Sequence, residues 1–186
     1  MIIGVTGFFC SGKDTMADHL QSRGFQHVSL SDMIREELRA RGVEITVEHL
    51  RQVGHELRAG HGPGVLGERA VAKVAAAGGN WAVTSIRHPR EVEALRAAPG
   101  FTMVFVDAPL ELRFERSLTR ARPGDPLTLD EFRAAEEKQM NPEAGDPAAQ
   151  ALAATRELAD RIIDNDGSIE AFEAKIEGLI AELSGA

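Results

Sequence analysis

From its second residue the chain runs Ile2-Ile3-Gly4-Val5-Thr6-Gly7-Phe8-Phe9-Cys10-Ser11-Gly12-Lys13-Asp14-Thr15, and this order constrains everything that follows. Ile2 to Thr6 form an apolar run of strand length, while Met16, Ala17 and Leu20 continue behind the lysine with helical spacing. Between them, Gly7 to Lys13 match the first seven positions of the phosphate-loop pattern GxxxxGK[ST]; the eighth position is Asp14, and Thr15 follows. The chemistry of a phosphate cradle needs this sequence of parts. Glycines let the backbone fold back so that successive N–H groups converge, the helix start adds a positive dipole, and the lysine reaches the outer phosphates. A glycine turn before an ordinary helix is the plainer reading, and the strand in front with the helix behind favours the cradle over it. Cys10 has no Cys/His neighbour and reads as a loop filler without chemistry of its own.

Four more short apolar runs follow, at Val28 to Leu30, Trp81 to Ser85, Phe101 to Val106 and Arg161 to Asp164. Helical patterns separate them. Leu50, Val53 and Leu57 keep helical spacing behind a cap at Thr46, as do Ile169, Phe172, Ile176, Leu179, Ile180 and Leu183 behind Ser168. Pro63 and Pro89 suit the first turn of a helix, and Thr128 with Glu131 has capping-box spacing. Strands without polar alternation are buried on both faces, so their alternation with helices predicts a three-layer α/β fold around a parallel sheet of five strands. A length of 186 residues with 43% hydrophobic residues predicts one domain.

The formal charge is −8, which excludes a broad basic field for polymeric nucleic acid or an anionic membrane. Anionic small molecules must therefore be met by local clusters of positive charge. Seventeen arginines stand against only four lysines, and an arginine fork suits bidentate phosphate contacts. One cysteine and no Cys/His cluster of zinc spacing fit a reducing compartment. The N-terminus lacks the pattern of a signal peptide and no apolar run approaches a membrane span, so a soluble cytoplasmic protein is expected, as monomer or homodimer.

On these residues the chain resembles the nucleotide kinase group of P-loop proteins, which includes nucleoside monophosphate kinases and dephospho-CoA kinases. Gly12-Lys13-Asp14-Thr15 is similar to the loop of phage deoxynucleoside monophosphate kinases, and Ile2 to about Leu179 resembles an archaeal adenylate-kinase-like family. The resemblance implies a P-loop NTPase fold with a helical acceptor-binding region over about 31–78 and a lid over about 113–147. It implies ATP as phosphoryl donor, Mg2+ as its companion ion, and a small phosphorylated acceptor, a nucleotide first of all. Gly7, Phe8, Phe9, Cys10, Ser11, Gly12, Lys13, Asp14 and Thr15 become the ATP loop; Asn165 and Gly167, in the turn after the last strand, fall beside the base.

Ser29-Leu30-Ser31-Asp32-Met33-Ile34-Arg35 resembles the acceptor segment, where Asp32 orients or deprotonates the acceptor and Arg35 grips its phosphate; the plainer alternative is that Ser31 or Asp32 caps a helix. Arg58 and Arg87 resemble further acceptor residues, whereas Arg90 and Arg96, beside Glu91 and Glu93, read as solvated surface charge. Arg113, Arg116, Arg120 and Arg122 resemble a lid whose closure brings arginines, above all the catalytic candidates Arg120 and Arg122, to the transferred group and excludes water. Surface pairing with Glu111 and Glu115 is the alternative for the first three. One departure stands out. Where many relatives end the third strand with an Asp that serves magnesium, this chain has Val83-Thr84-Ser85, so Asp14 and Thr15 become the metal candidates. Phosphoryl transfer to a nucleoside monophosphate is the leading expectation; a dephospho-CoA kinase-like hydroxyl acceptor, a base within DNA, and a nucleotide-binding regulator without turnover are its rivals.

Overall fold

A computed structural model of the chain describes residues 1–121, 125–140 and 146–185. It begins with β1 (Ile2–Gly7), buried along its whole length, and α1 (Lys13–Ser22). The chain continues through β2 (Gln26–Ser29), α2 (Leu30–Ala40), α3 (Val47–His61), α4 (Val65–Ala77), β3 (Trp81–Thr84) and α5 (Pro89–Leu95). It ends with β4 (Phe101–Asp107), α6 (Leu110–Arg120), α7 (Leu129–Met140), α8 (Leu152–Glu157), β5 (Arg161–Asp164) and α9 (Ile169–Ser184). The strands form one five-stranded sheet in the order β2-β3-β1-β4-β5, parallel at every pairing.

Successive residues of each central strand point to opposite faces, and both faces are covered. Ile2, Val28, Trp81, Val83 and Met103 pack against Leu38, Leu57, Leu66 and Val92 from α2 to α5. Ile3, Val5, Ala82, Val104, Val106 and Ile163 face the other way, onto Met16 and Leu20 of α1 and Phe172, Ile176 and Leu179 of α9. A strand with apolar layers on both sides has no use for polar alternation, which is why the runs read as unbroken.

The caps bear out the sequence at four places. Thr46 accepts from the His49 amide at 3.1 Å, Ser168 accepts from Ala171 at 3.3 Å, and Pro89 is the first residue of α5. Thr128 and Glu131 bond each other's amides at 3.1 and 3.2 Å. Other local expectations need correction. Leu30 opens α2, and its cap is Ser29, so neither Ser31 nor Asp32 caps the helix. Pro63 lies outside α4: the Val65 amide donates to Gly62 O at 3.1 Å, which makes Pro63 the second residue of a turn, a place its fixed φ suits equally well. No helix among the described residues is long and apolar enough to cross a membrane.

Register sets the site. Thr84 at the end of β3 pairs with Val5 on one side and Ser29 on the other, so the loop after β1, the start of α2 and the turn after β3 leave the same carboxyl edge. Ligands of parallel α/β sheets bind in the crevice outside that edge.

Candidate active site

The Gly7–Lys13 loop is shaped by three residues with positive φ, Gly7 at 158°, Cys10 at 59° and Gly12 at 104°. A side chain on Gly12 would run into the amide nitrogen of Asn165, so both its conformation and its neighbour demand glycine. Gly12 also serves as N-cap of α1, without any side-chain cap. The first-turn N–H groups of α1 have no intrahelical acceptor and are open to an anion.

They face a pocket of about 440 Å³ lined by Cys10, Gly12, Lys13, Asp14, Thr15, Asn165 and Gly167 from the expected set, and by Arg116, Arg120, Ile169 and Phe172. Nη1 of Arg116 and Nε of Arg120 are buried without a hydrogen-bond partner, and so is the Ser11 hydroxyl. Lys13 Nζ donates only weakly, to Phe8 O of its own loop at 3.3 Å. Buried donors left open in this way are costly. Phe172 is buried in the core, as its helical spacing implies, and Ile169 is exposed; both also line this pocket because α9 comes close to the loop at Gly12.

The electrostatics tie the loop to β3. Burial, then the positive charge of Arg87, push the Lys13 ammonium down from 10.5 to about 8, with Asp14 opposing them. Arg87 is itself lowered, first by burial, while Glu91 and Asp14 pull it back. Burial raises the Cys10 thiol against the pull of Arg120 and Lys13, which keeps it protonated, in keeping with a residue that fills the loop.

The expected acceptor residues divide. Asp32 and Arg35 sit in the first turns of α2 and bond each other at 2.7 Å, with both side chains partly open to solvent. Ser29, the cap of α2, donates to Ser85 Oγ at 3.0 Å, so α2 is fastened to the turn that carries Arg87. Arg58 is elsewhere. Its side chain is 3% exposed and forms an ion pair at 2.8 Å with Glu91, which is wholly buried. Glu91 is therefore no surface charge, whereas Arg90 pairs with Glu93 at the surface as expected. Thr84 turns its hydroxyl to His27 Nε2 at 2.9 Å, so the end of β3 presents no carboxylate to the loop.

On the far side of the loop, α6 carries its arginines inward instead of pairing them with Glu111 and Glu115. Arg113 is buried in an ion pair with Glu136 of α7, its guanidinium 4.8 Å from the centre of the Phe8 ring. Arg116 donates to Asn165 O at 3.1 Å and to Asn165 Oδ1 at 3.3 Å. Arg120 lies 4.6 Å over the Phe9 ring and is held by Asp125 at 2.9 Å. Arg122 lies outside the described residues. Asn165, expected beside the base, also grips the loop from within, donating Nδ2 to Ser11 O at 2.8 Å.

A glycine–lysine loop between β1 and α1, a five-stranded parallel sheet in this order and helices on both faces define a P-loop protein of the kinase fold. Residues 3–141 match the family model described as AAA domain. The chain belongs to the UPF0200 family. A UPF0200 protein of Hyperthermus butylicus is 34% identical over 186 residues, covering 100% of this chain and 96% of that protein. One from Thermococcus kodakarensis is 34% identical over 189 residues, covering 98% of each. Among solved structures, shikimate kinase from Acinetobacter baumannii superposes with a TM-score of 0.58 at 17% identity, covering 99% of this chain and 93% of that one. A gluconokinase from Sinorhizobium meliloti gives 0.53 at 14% identity, covering 97% and 91%. At such identities the likeness is one of fold.

Proposed function

We propose that this protein transfers the terminal phosphoryl group of ATP to a small phosphorylated acceptor, a nucleoside or deoxynucleoside monophosphate. One observation carries the reading: the charges of Arg87 and Arg120 both press on the buried Lys13 ammonium of the phosphate loop, in a protein of net charge −8. Like charges gathered at such cost are stabilised by an anionic ligand of high charge density. The loop N–H groups and Lys13 hold the outer phosphates, Asn165, Gly167, Ile169 and Phe172 receive the base, and Arg120, with Arg122, neutralises charge that develops on the group in transit. Asp32 orients or deprotonates the acceptor, and Arg35 and Arg87 bind its phosphate.

Magnesium arriving with ATP neutralises phosphate charge. Asp14 and Thr15 line the pocket and offer the hard oxygens that ion prefers. No group of three acidic, histidine or cysteine residues that could hold a metal ion is found among the described residues, so Asp14 and Thr15 would hold the ion together with the nucleotide it arrives with.

A second reading is a hydroxyl acceptor, either dephospho-CoA or a compound of the kind named for the shikimate kinase neighbour. It is favoured by the engagement of Arg35 with Asp32 and of Arg58 with Glu91, which occupies two of the forks an acceptor phosphate would use. The missing carboxylate at Thr84 favours a third, a nucleotide-binding regulator. Labelled ATP with a panel of nucleoside monophosphates, dephospho-CoA and shikimate separates them. Label on a monophosphate, weakened for that acceptor but not for ATP by Arg87→Ala, is the expected result. Tight ATP binding without transfer to any acceptor would reject the enzyme.

A further inference from the structure

Glu91 has more partners than a surface helix residue needs. Its Oε1 accepts from Arg58 Nε at 2.9 Å and Nη2 at 2.8 Å. Its Oε2 accepts from the backbone N–H of Arg87 at 2.8 Å and of His88 at 3.1 Å. The His88 ring closes the same turn by accepting from the Arg90 amide at 3.1 Å. Behind it, α4 approaches so closely that a side chain on Gly67 would lie 2.6 Å from Glu91 O. The helix start is thus pressed against α4 by its backbone and pinned by its carboxylate, which has all its acceptor capacity spent on Arg58 and the turn. Within that turn Ser85 adopts a positive φ of 62°, a conformation a serine holds only when its surroundings impose it.

We infer that the buried Arg58–Glu91 pair is a positioning device, through which α3 fixes the Ser85–His88 turn and thereby the place of Arg87 in the acceptor crevice. The inference rests on the assignment of Arg87 to the acceptor made above. Arg58 then never touches the acceptor. It acts through Glu91, and Glu91 acts through two backbone N–H groups. A buried ion pair is a poor device for stability, since apolar residues of similar volume often do as well, but it holds geometry because a carboxylate has fixed acceptor directions. Placement from α3 also makes the turn sensitive to the helical region expected to meet the acceptor, because α2 and α3 pack on one another and Ser29 of the α2 cap is bonded to Ser85.

The test needs no activity for its first half. Amide exchange at Arg87 and His88 is followed by NMR in the full chain, in Glu91→Gln and in Arg58→Lys. Loss of the charge on the acceptor of both N–H groups should speed exchange at these two amides about tenfold in Glu91→Gln, with the α9 amides unchanged. Arg58→Lys keeps a cation opposite Glu91 and should fall between. For the second half, AMP serves as acceptor probe: its KM should rise about tenfold in Glu91→Gln while the ATP KM changes less than twofold. Unchanged Arg87 and His88 amides would overturn the inference. So would acceleration of all slow amides together, which marks a loss of global stability only, or a rise in ATP KM equal to that for AMP. Should Glu91→Gln fail to fold, Arg58→Lys carries the same readouts. If no panel acceptor is phosphorylated, the kinase reading fails while the exchange result still decides for or against the device.

Discussion

Lys13→Met should make the free protein more stable while destroying its use of ATP. Burial and the Arg87 charge lower the Lys13 ammonium from 10.5 to about 8. Below the folded-state value the group is charged in both states, and folding must carry the whole penalty. Between about 8 and 10.5 the unfolded chain holds the proton and the folded chain does not, so stability rises with pH through that window. The penalty at pH 7 is on the order of 3 kcal/mol, and the bond from Lys13 to Phe8 O returns about 1 kcal/mol. Methionine keeps the stem and removes both. A net gain of about 2 kcal/mol at pH 7 follows, or a Tm higher by roughly 4–8 °C for a chain of this size.

At pH 9.5 the residual penalty is about 1 kcal/mol, and the gain over the parent should vanish. Urea unfolding of both proteins at the two pH values, with ATP binding measured by calorimetry, tests this. A Lys13→Met protein less stable than its parent at pH 7, or a difference that does not shrink with pH, would refute the account of Lys13 as a strained charge awaiting phosphate.

Asn165→Ala removes a buried donor to Ser11 O and an acceptor for Arg116, so a loss of about 2 kcal/mol in loop order, read as roughly thirtyfold weaker ATP binding, is expected by calorimetry. ATP binding unchanged within error would show that the loop does not depend on this grip. Asp14→Asn should raise the magnesium concentration for half-maximal transfer with little change in Tm, because Gly12 and not Asp14 caps α1. A lowered Tm with an unchanged magnesium curve would leave Thr15 as the ligand.

What could be read from the sequence is what local chemistry decides. Five strands, the glycine loop and the caps at Thr46, Ser168 and Thr128 depend on neighbours within a few residues, and the register of a parallel sheet then brings Gly7, Ser29 and Thr84 to one edge. The inner contacts were hidden because their partners lie far away. Glu91 sits among Arg90, Glu93 and Arg96 like any surface residue, and only Arg58, 33 positions earlier, makes it a buried hub. Its one local signal was the spacing from His88, a residue not usually counted among caps, whose ring nitrogen can nevertheless accept from an amide. Arg113 shares a helix face with Arg116 and Arg120, yet it finds Glu136 and the other two find Asn165 and Asp125.

That division along α6 gives the two phenylalanines of the loop a meaning that the phosphate pattern does not require. Phe8 meets Phe105 edge-on at 4.9 Å and lies under Arg113, while Phe9 meets Phe132 of α7 at 5.5 Å and lies under Arg120. Aromatic and cation–π contacts are worth about 1 kcal/mol each, enough to bias a conformation without locking it. The two phenylalanines of the loop thus pack on β4, α7 and the arginines of α6, while Cys10 and Lys13 line the pocket. Arg113, buried with Glu136, is too deeply held to move with a ligand, so it anchors α6 to the loop. Among the described residues Arg120 is held more lightly: its Nε is unpartnered, and its guanidinium lies over the Phe9 ring and bonds Asp125. The same arginine also bears on the charges of Cys10 and Lys13 in the loop, so Phe9 is one of several links between the loop and α6.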